Sequence, residues 1–198
     1  MPSLETILAS DPALEVETQP KREYSTWADL SSVLGPVRFD WEPWLAPGFL
    51  TLIAGASGNG KSILALRIAG CYLLGEPLPD GNDFEGPTGS ILWAEAEAAQ
   101  ALNLERATKW GYPLGKILTP FPTDPLLDIN LNDPAHIAQL SIMAEQPEVK
   151  LIVVDSLSGA NLHRKESDTE VMKITAWLAG LARDLKKPII LTHHLNKK

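Results

Sequence analysis

The sequence has little of what marks a secreted or membrane-bound protein. It has one cysteine, Cys71, in 198 residues, so no internal disulfide can form, and we interpret Cys71 as a small buried hydrophobe. The longest apolar run, residues 63–75, is interrupted by Arg67 and is shorter than the ~20 residues that a membrane helix needs. The first ten residues have no Lys or Arg and do not match a secretory signal. We therefore expect a cytoplasmic protein without membrane contact.

The sequence also lacks an excess of positive charge. It has 17 Lys and Arg against 25 Asp and Glu, a net charge of −8, which does not indicate a broadly basic nucleic-acid-binding surface. Residues 1–42 hold eight acids and three bases. We predict an acidic leader or linker over 1–38, with a short helix at 27–34, followed by a folded domain over 39–198. Trp41 and Trp44 are expected to pack at the edge of that domain, or alternatively to contact a nucleotide base.

Segments typical of strands and helices alternate from residue 49 onward. Continuous apolar runs such as FLTLIA predict strands that are covered on both faces. Because strands alternate with helices, the sequence predicts an α/β fold with a mostly parallel twisted sheet and helices on both faces. The predicted strands are 49–54, 90–94, 116–120, 150–155 and 188–193, and the predicted helices are 61–74, 96–110, 134–145 and 169–186.

A glycine-rich segment between the first strand and the first long helix carries the clearest motif. Residues 55–62, GASGNGKS, fit the pattern G-x-x-x-x-G-K-[ST] in the strand–loop–helix context that a P-loop requires. The glycines let successive backbone amides turn toward phosphates, Lys61 reaches the β- and γ-phosphates, and the Ser62 hydroxyl binds Mg²⁺. The motif predicts that the protein binds ATP, or another nucleoside triphosphate, with Mg²⁺. The predicted nucleotide-contacting residues are Gly55, Ala56, Ser57, Gly58, Asn59, Gly60, Lys61, Ser62 and Ile63.

Acidic residues and histidines follow three of the other strands. Asp155 comes after four apolar residues in LIVVDS, a Walker B pattern in which the acid orients the Mg²⁺ shell. Glu95 and Glu97 end the second strand, and either could position the attacking water, although both could also be favourable acids in a first helical turn. His193 and His194 lie on opposite sides of a continuing strand, so only one can face the site.

These motifs together resemble the RecA-like P-loop ATPases, and within them the RepA-type replicative helicase ATPases and their phage AAA-family relatives. The resemblance rests on WLAPGFLTLIAGASGNGKS, ILWAEAE, LIVVDSLSG and IILTHHLNK. It implies that Glu97 is the catalytic glutamate, that Asp155 is the Mg²⁺ acid with the Ser156 hydroxyl beside it, and that His194 senses the γ-phosphate together with Asn196 and Lys197. Ala98 stands where the family usually has Asp.

The resemblance further implies an ATP-hydrolysing motor that acts on single-stranded DNA as a homo-oligomeric ring. His163, Arg164 and Lys165 are candidates for phosphate contacts, or else belong to a solvated charged loop. Because such domains continue past the sensor segment, we expect a chain truncated at its C-terminus, with the P-loop strand as an apolar edge unless residues 20–48 cover it. Two other hypotheses remain open: a nucleotide-binding regulator with little turnover, and a P-loop kinase for a small acceptor.

Overall fold

The computed structural model describes residues 25–161 and 168–195. The chain divides into two units, the first ending at Pro36 and the second beginning at Val37. In the first unit, helix α1 (Trp27–Ser31) begins at a capping box in which Thr26 and Asp29 bind each other's backbone amides. It ends three residues before the predicted helix does. The predicted leader lies outside the described residues up to residue 24.

The second unit is a five-stranded, entirely parallel sheet flanked by helices. The strand order is β1-β5-β4-β2-β3. The strands are β1 (Leu50–Gly55), β2 (Ser90–Glu95), β3 (Ile117–Leu118), β4 (Val149–Asp155) and β5 (Ile189–His194), and the helices are α2 (Lys61–Leu74), α3 (Gln100–Lys109), α4 (Pro134–Glu145), α5 (Leu157–Ala160) and α6 (Asp168–Leu185). No helix within the described ranges is long and apolar enough to cross a membrane.

The sheet is covered on both faces, which is why its central strands read as unbroken apolar runs. On β4, Ile152 and Val154 pack into the cluster beneath α4 and α6, whereas Leu151 and Val153 pack into the cluster beneath α2 and α3. Cys71 is buried within α2, as expected. The α/β fold with helices on both faces is therefore confirmed.

Strand β3 covers only Ile117–Leu118 of the predicted 116–120. Two further differences from the predicted pattern lie at the carboxyl ends of strands. Helix α3 begins at Gln100 rather than at residue 96, because the chain first makes a turn in which Ala98 has a φ of 52°. The Ala98 amide donates to Asp128 Oδ1, at 3.3 Å. The short helix α5 directly follows β4, and its first amides are capped by Ser156, which accepts from the Gly159 N–H. Both features shape the site described below.

Strand β1 is an edge strand among the described residues, since it pairs only with β5. Residues 37–48 cover part of it: Leu45 is buried in the core and Thr51 Oγ1 donates to the Trp44 carbonyl. Leu52 nevertheless remains half exposed. Trp41 is partly buried and its indole donates to Asp80, whereas Trp44 is largely exposed. The expected apolar edge is therefore only partly covered.

Candidate nucleotide site

The P-loop turns directly from β1 into α2. Gly58 and Gly60 have φ angles of 81° and 77°, in the left-handed region that favours glycine, and Gly60 is the N-cap of α2. The amides of Ser57, Gly58 and Gly60 find no acceptor within the described part of the chain. Free amides and a helix N-terminus at one place form a site suited to an anion such as a phosphate group. The loop conformation therefore fits the role that its sequence predicts.

Lys61 lies buried at the mouth of this loop, with 7% of its surface exposed. Its ammonium donates to the carbonyls of Gly55, at 3.0 Å, and Ala56, at 2.9 Å. The third contact of Nζ is with His194 Nδ1, at 3.1 Å. An ammonium has three protons, so the two carbonyls and the imidazole use all three.

His194 connects the P-loop to an acid on another strand. It is the register partner of Gly55 across β1 and β5, and its Nε2 lies 2.8 Å from Glu97 Oε1 and 3.1 Å from Oε2. Since Lys61 can only donate, Nδ1 must accept, and the ring proton is then on Nε2, where it is donated to Glu97. His193 instead approaches Ser158 Oγ, at 3.5 Å.

Glu97 is fixed from the side opposite His194 by residues that follow β4. The hydroxyl of Ser156, which is fully buried, donates to Glu97 Oε1. At Gly159, a Cβ would come within 2.1 Å of the Ala96 carbonyl oxygen, so the turn that carries Glu97 packs directly on α5. The carboxylate is thus held between a hydroxyl and an imidazole, both of which donate to it.

Glu95 has a different environment although it is only two residues away. Its carboxylate accepts from the Ala96 and Glu97 amides, the Trp93 indole and the Asn103 side-chain amide. Burial raises the pKa of Glu95, the hydrogen bond from the Glu97 amide opposes that effect, and the charge of Asp155 adds to it. Of the two acids left open by the sequence, Glu97 contacts His194 and Glu95 does not.

Asp155 and Ser62 are the candidate Mg²⁺ ligands, and the structure does not bring them into direct contact. Asp155 lies on β4, and β5 separates it from the P-loop strand. Its Oδ1 accepts from Thr192 Oγ1, at 2.5 Å, and its Oδ2 has no donor within the described residues. Mg²⁺ is usually held by one or two protein oxygens together with phosphates and waters. A hydroxyl and one free carboxylate oxygen fit that requirement.

The remaining predicted site residues are placed only in part. Ile63 is exposed on the first turn of α2. His163, Arg164, Lys165, Asn196 and Lys197 lie outside the described residues. Sequence reasoning missed the contacts of Thr192 and Asn103. Thr192 could have been noticed as a polar interruption of an apolar strand, whereas nothing in the sequence distinguishes Asn103 from any other helical Asn.

The parallel sheet with helices on both faces and the P-loop between β1 and α2 together define an α/β P-loop NTPase domain. The family model described as AAA domain, AAA_25, matches residues 15–198, and the chain belongs to this family. No curated protein matches the chain. Among solved structures, it is similar to one titled "Crystal structure of the RadB recombinase", with 19% identity and a TM-score of 0.48. That match covers 76% of this chain and 63% of the other, so the chain spans less than two thirds of the matched protein.

Proposed function

We propose that this chain binds ATP with Mg²⁺ through residues 55–63 and hydrolyses it, as the motor domain of a helicase or of another DNA-replication or recombination ATPase of the RepA type. The observation that carries the proposal is one continuous set of contacts from Lys61 through His194 and Glu97 to Ser156. These contacts join the predicted phosphate-binding lysine to the predicted catalytic glutamate.

Each side chain has a definite part in the proposed reaction. Glu97 accepts a proton from the attacking water and orients it, which is the task of a general base. Lys61 exchanges the carbonyls of Gly55 and Ala56 for the β- and γ-phosphates. His194 touches both residues, so loss of the γ-phosphate is sensed at Glu97. Ser62 and Asp155 would hold Mg²⁺, which, when bound, neutralises charge on the phosphates.

The motor part of the proposal rests on the sequence resemblance and concerns residues 39–198. Single-stranded DNA is the proposed partner, contacted through His163, Arg164 and Lys165, and a homo-oligomeric ring is the proposed assembly. In a ring, an arginine or lysine finger from a neighbouring subunit can raise kcat by about 10³–10⁵. DNA-stimulated ATP turnover is the property that distinguishes this proposal from simple nucleotide binding.

The experiment measures ATP affinity and ATP turnover, with and without single-stranded DNA, in five proteins. We expect Lys61→Ala to abolish ATP binding, and Glu97→Gln to bind ATP normally while its kcat falls by about 10²–10⁴, the usual contribution of a general base. His194→Ala should also lower kcat. His193→Ala is its matched control, since the two histidines are neighbours on one strand and only His194 contacts Lys61. Unchanged turnover in Glu97→Gln would refute the assigned base.

A nucleotide-binding regulator with little turnover is the second candidate, and Ala98 is the observation that favours it. The left-handed backbone at this residue suits Asp or Asn better than Ala, and Ala98 brings no carboxylate to the site where the resembled family has one. Tight ATP binding with negligible turnover under every condition would select this candidate. Turnover that requires a small phosphate acceptor would instead select a kinase.

A further inference from the structure

A second cavity lies apart from the P-loop, between β2, α3 and residues 114–127. Its volume is about 460 Å³, within the range of about 300–1,000 Å³ that is usual for small-molecule sites. None of residues 55–63, Asp155 or His194 lines it. It is therefore distinct from the site proposed for ATP.

The walls of this cavity are mostly apolar. Trp93 from β2 and Ile117 from β3 form its floor, and α3 supplies one side. Its apolar lining includes Leu66, Trp93, Leu104, Ala107, Ile117 and Leu126. Leu104 and Leu126 are exposed at its rim, so the cavity opens to solvent. An apolar body suits such a space.

One charged group lies among these apolar walls. Glu95 is 5% exposed and lines the cavity, and its four hydrogen-bond partners are all uncharged amides or an indole. No Lys, Arg or His of the described ranges forms an ion pair with it. Asp155 is its register partner on β4 and adds negative charge nearby. A buried carboxylate of this kind attracts a cation strongly, because the surrounding medium screens charge poorly.

We propose that this cavity binds a small aromatic amine, with the ring system between Trp93 and Leu104 and the protonated amine directed to Glu95. The apolar walls select the ring, and the Glu95 carboxylate, whose four hydrogen-bond donors are all neutral, selects the cation over a neutral or anionic compound of the same shape. A ligand in this position lies one hydrogen bond from Glu97, whose amide donates to Glu95 Oε1 at 3.1 Å. The inference does not depend on ATP hydrolysis.

Three probes of one shape and different charge test the proposal: 2-naphthylmethylamine, 2-naphthalenemethanol and 2-naphthoate. Binding is measured at pH 7 by calorimetry and by the shift of the Trp93 indole N–H signal in NMR spectra. We expect the amine to bind at least about tenfold more tightly than the alcohol, a difference of about 1.4 kcal/mol, and the naphthoate to bind most weakly. Equal affinity of amine and alcohol, or no shift of the Trp93 signal, would overturn the proposal.

Variants locate the binding. Leu104→Arg should weaken binding of the amine about tenfold or more, because it blocks the rim with a cation. Leu102→Arg is the matched control: it lies on the same helix, with 48% exposure against 54% for Leu104, and does not line the cavity. An equal loss of amine affinity in Leu104→Arg and Leu102→Arg would contradict the placement of the ligand in this cavity. Glu95→Gln should remove the preference for the amine and keep binding of the alcohol; if this variant does not fold, the leucine pair and the probe series decide the question.

Discussion

At the scale of single residues, the Ser156 hydroxyl donates to Glu97, the proposed general base. Ser156 is fully buried where β4 passes into α5, and its extended backbone lets it cap that helix and donate to Glu97 Oε1 at the same time. A hydrogen bond to a charged group contributes about 1.5–3 kcal/mol. We therefore expect Ser156 to affect hydrolysis through Glu97, although it contacts neither the P-loop lysine nor His194.

Replacing this serine should slow hydrolysis without weakening nucleotide binding. For Ser156→Ala we expect kcat to fall by about 10–100-fold, the equivalent of that hydrogen bond, and the Kd for ATP to stay the same. Ser156→Thr keeps the hydroxyl and should restore most of kcat, although its extra methyl group should lower Tm. Steady-state turnover and ATP titration of the three proteins measure these effects. Full activity of Ser156→Ala, or an equal loss of ATP affinity, would show that Ser156 does not position Glu97.

The sequence can predict the P-loop residues but cannot choose between the two glutamates. Gly55 to Ser62 are contiguous, so their chemistry is set locally. Glu95 and Glu97 have the same charge and lie two residues apart, and what separates them comes from distant parts of the chain. Asn103 binds the first, while Ser156 and His194 bind the second. The two contacts of Glu97 exist only once β4 and β5 have taken their places in the sheet.

At the scale of elements, predictions succeed where a local signal marks the boundary. Helix α2 ends at Gly75, whose φ is 72°, and α4 begins after the Asp133 cap with Pro134 at its first position. The predicted start of α3 at residue 96 is wrong, although acids at 95 and 97 are typical of a first helical turn. The chain instead makes a turn with Ala98 in a left-handed conformation. Strand order was not predictable either, since periodicity does not encode neighbours.

Segment 37–48 is attached to α2 through a buried pair that makes stability depend on pH. The Tyr72 hydroxyl donates to Asp40 Oδ2, at 2.6 Å, and burial raises the pKa of Asp40, with the Tyr72 bond and the Arg38 charge opposing it. The folded protein therefore holds this proton more tightly than the unfolded chain does. The stability that protonated Asp40 contributes to the folded protein is fully present below the unfolded pKa of about 4. This stability is lost as the pH rises through the folded pKa of Asp40.

Asp40→Asn removes this ionisable group and should show how far ionisation of Asp40 lowers the free energy of unfolding. We expect the variant to gain free energy of unfolding relative to the wild type as the pH rises from about 4 to 7, because only the wild type must bury an ionised carboxylate there. Urea unfolding at a series of pH values measures the difference. Asp83→Asn is the control, since Asp83 is exposed. A difference between Asp40→Asn and wild type that stays constant with pH would contradict the assigned role of burial.

At the scale of the whole molecule, the partly covered edge of the sheet is the feature from which we predict association. Strand β1 pairs only with β5 among the described residues, and Phe49 and Leu52 are 54% and 52% exposed beside it. Unpaired backbone groups next to apolar side chains form a template for another strand. Segment 37–48 contacts β1 at Thr51 and leaves Leu52 uncovered. We therefore expect this chain to self-associate through the β1 edge.

A charge on that edge should reduce the association without disturbing the nucleotide site. In Leu52→Lys, pairing of a second strand at this edge would desolvate the ammonium. Lysines on the edge strands of natural sheets prevent strand pairing in this way. Sedimentation velocity over a wide range of protein concentration should show less association than in the wild type, while ATP affinity stays the same. Leu102→Lys, at a similarly exposed position on α3, is the control for added charge. Equal association of Leu52→Lys and wild type would place the contact elsewhere, and an equal reduction in Leu102→Lys would show that net charge, not the edge, controls it.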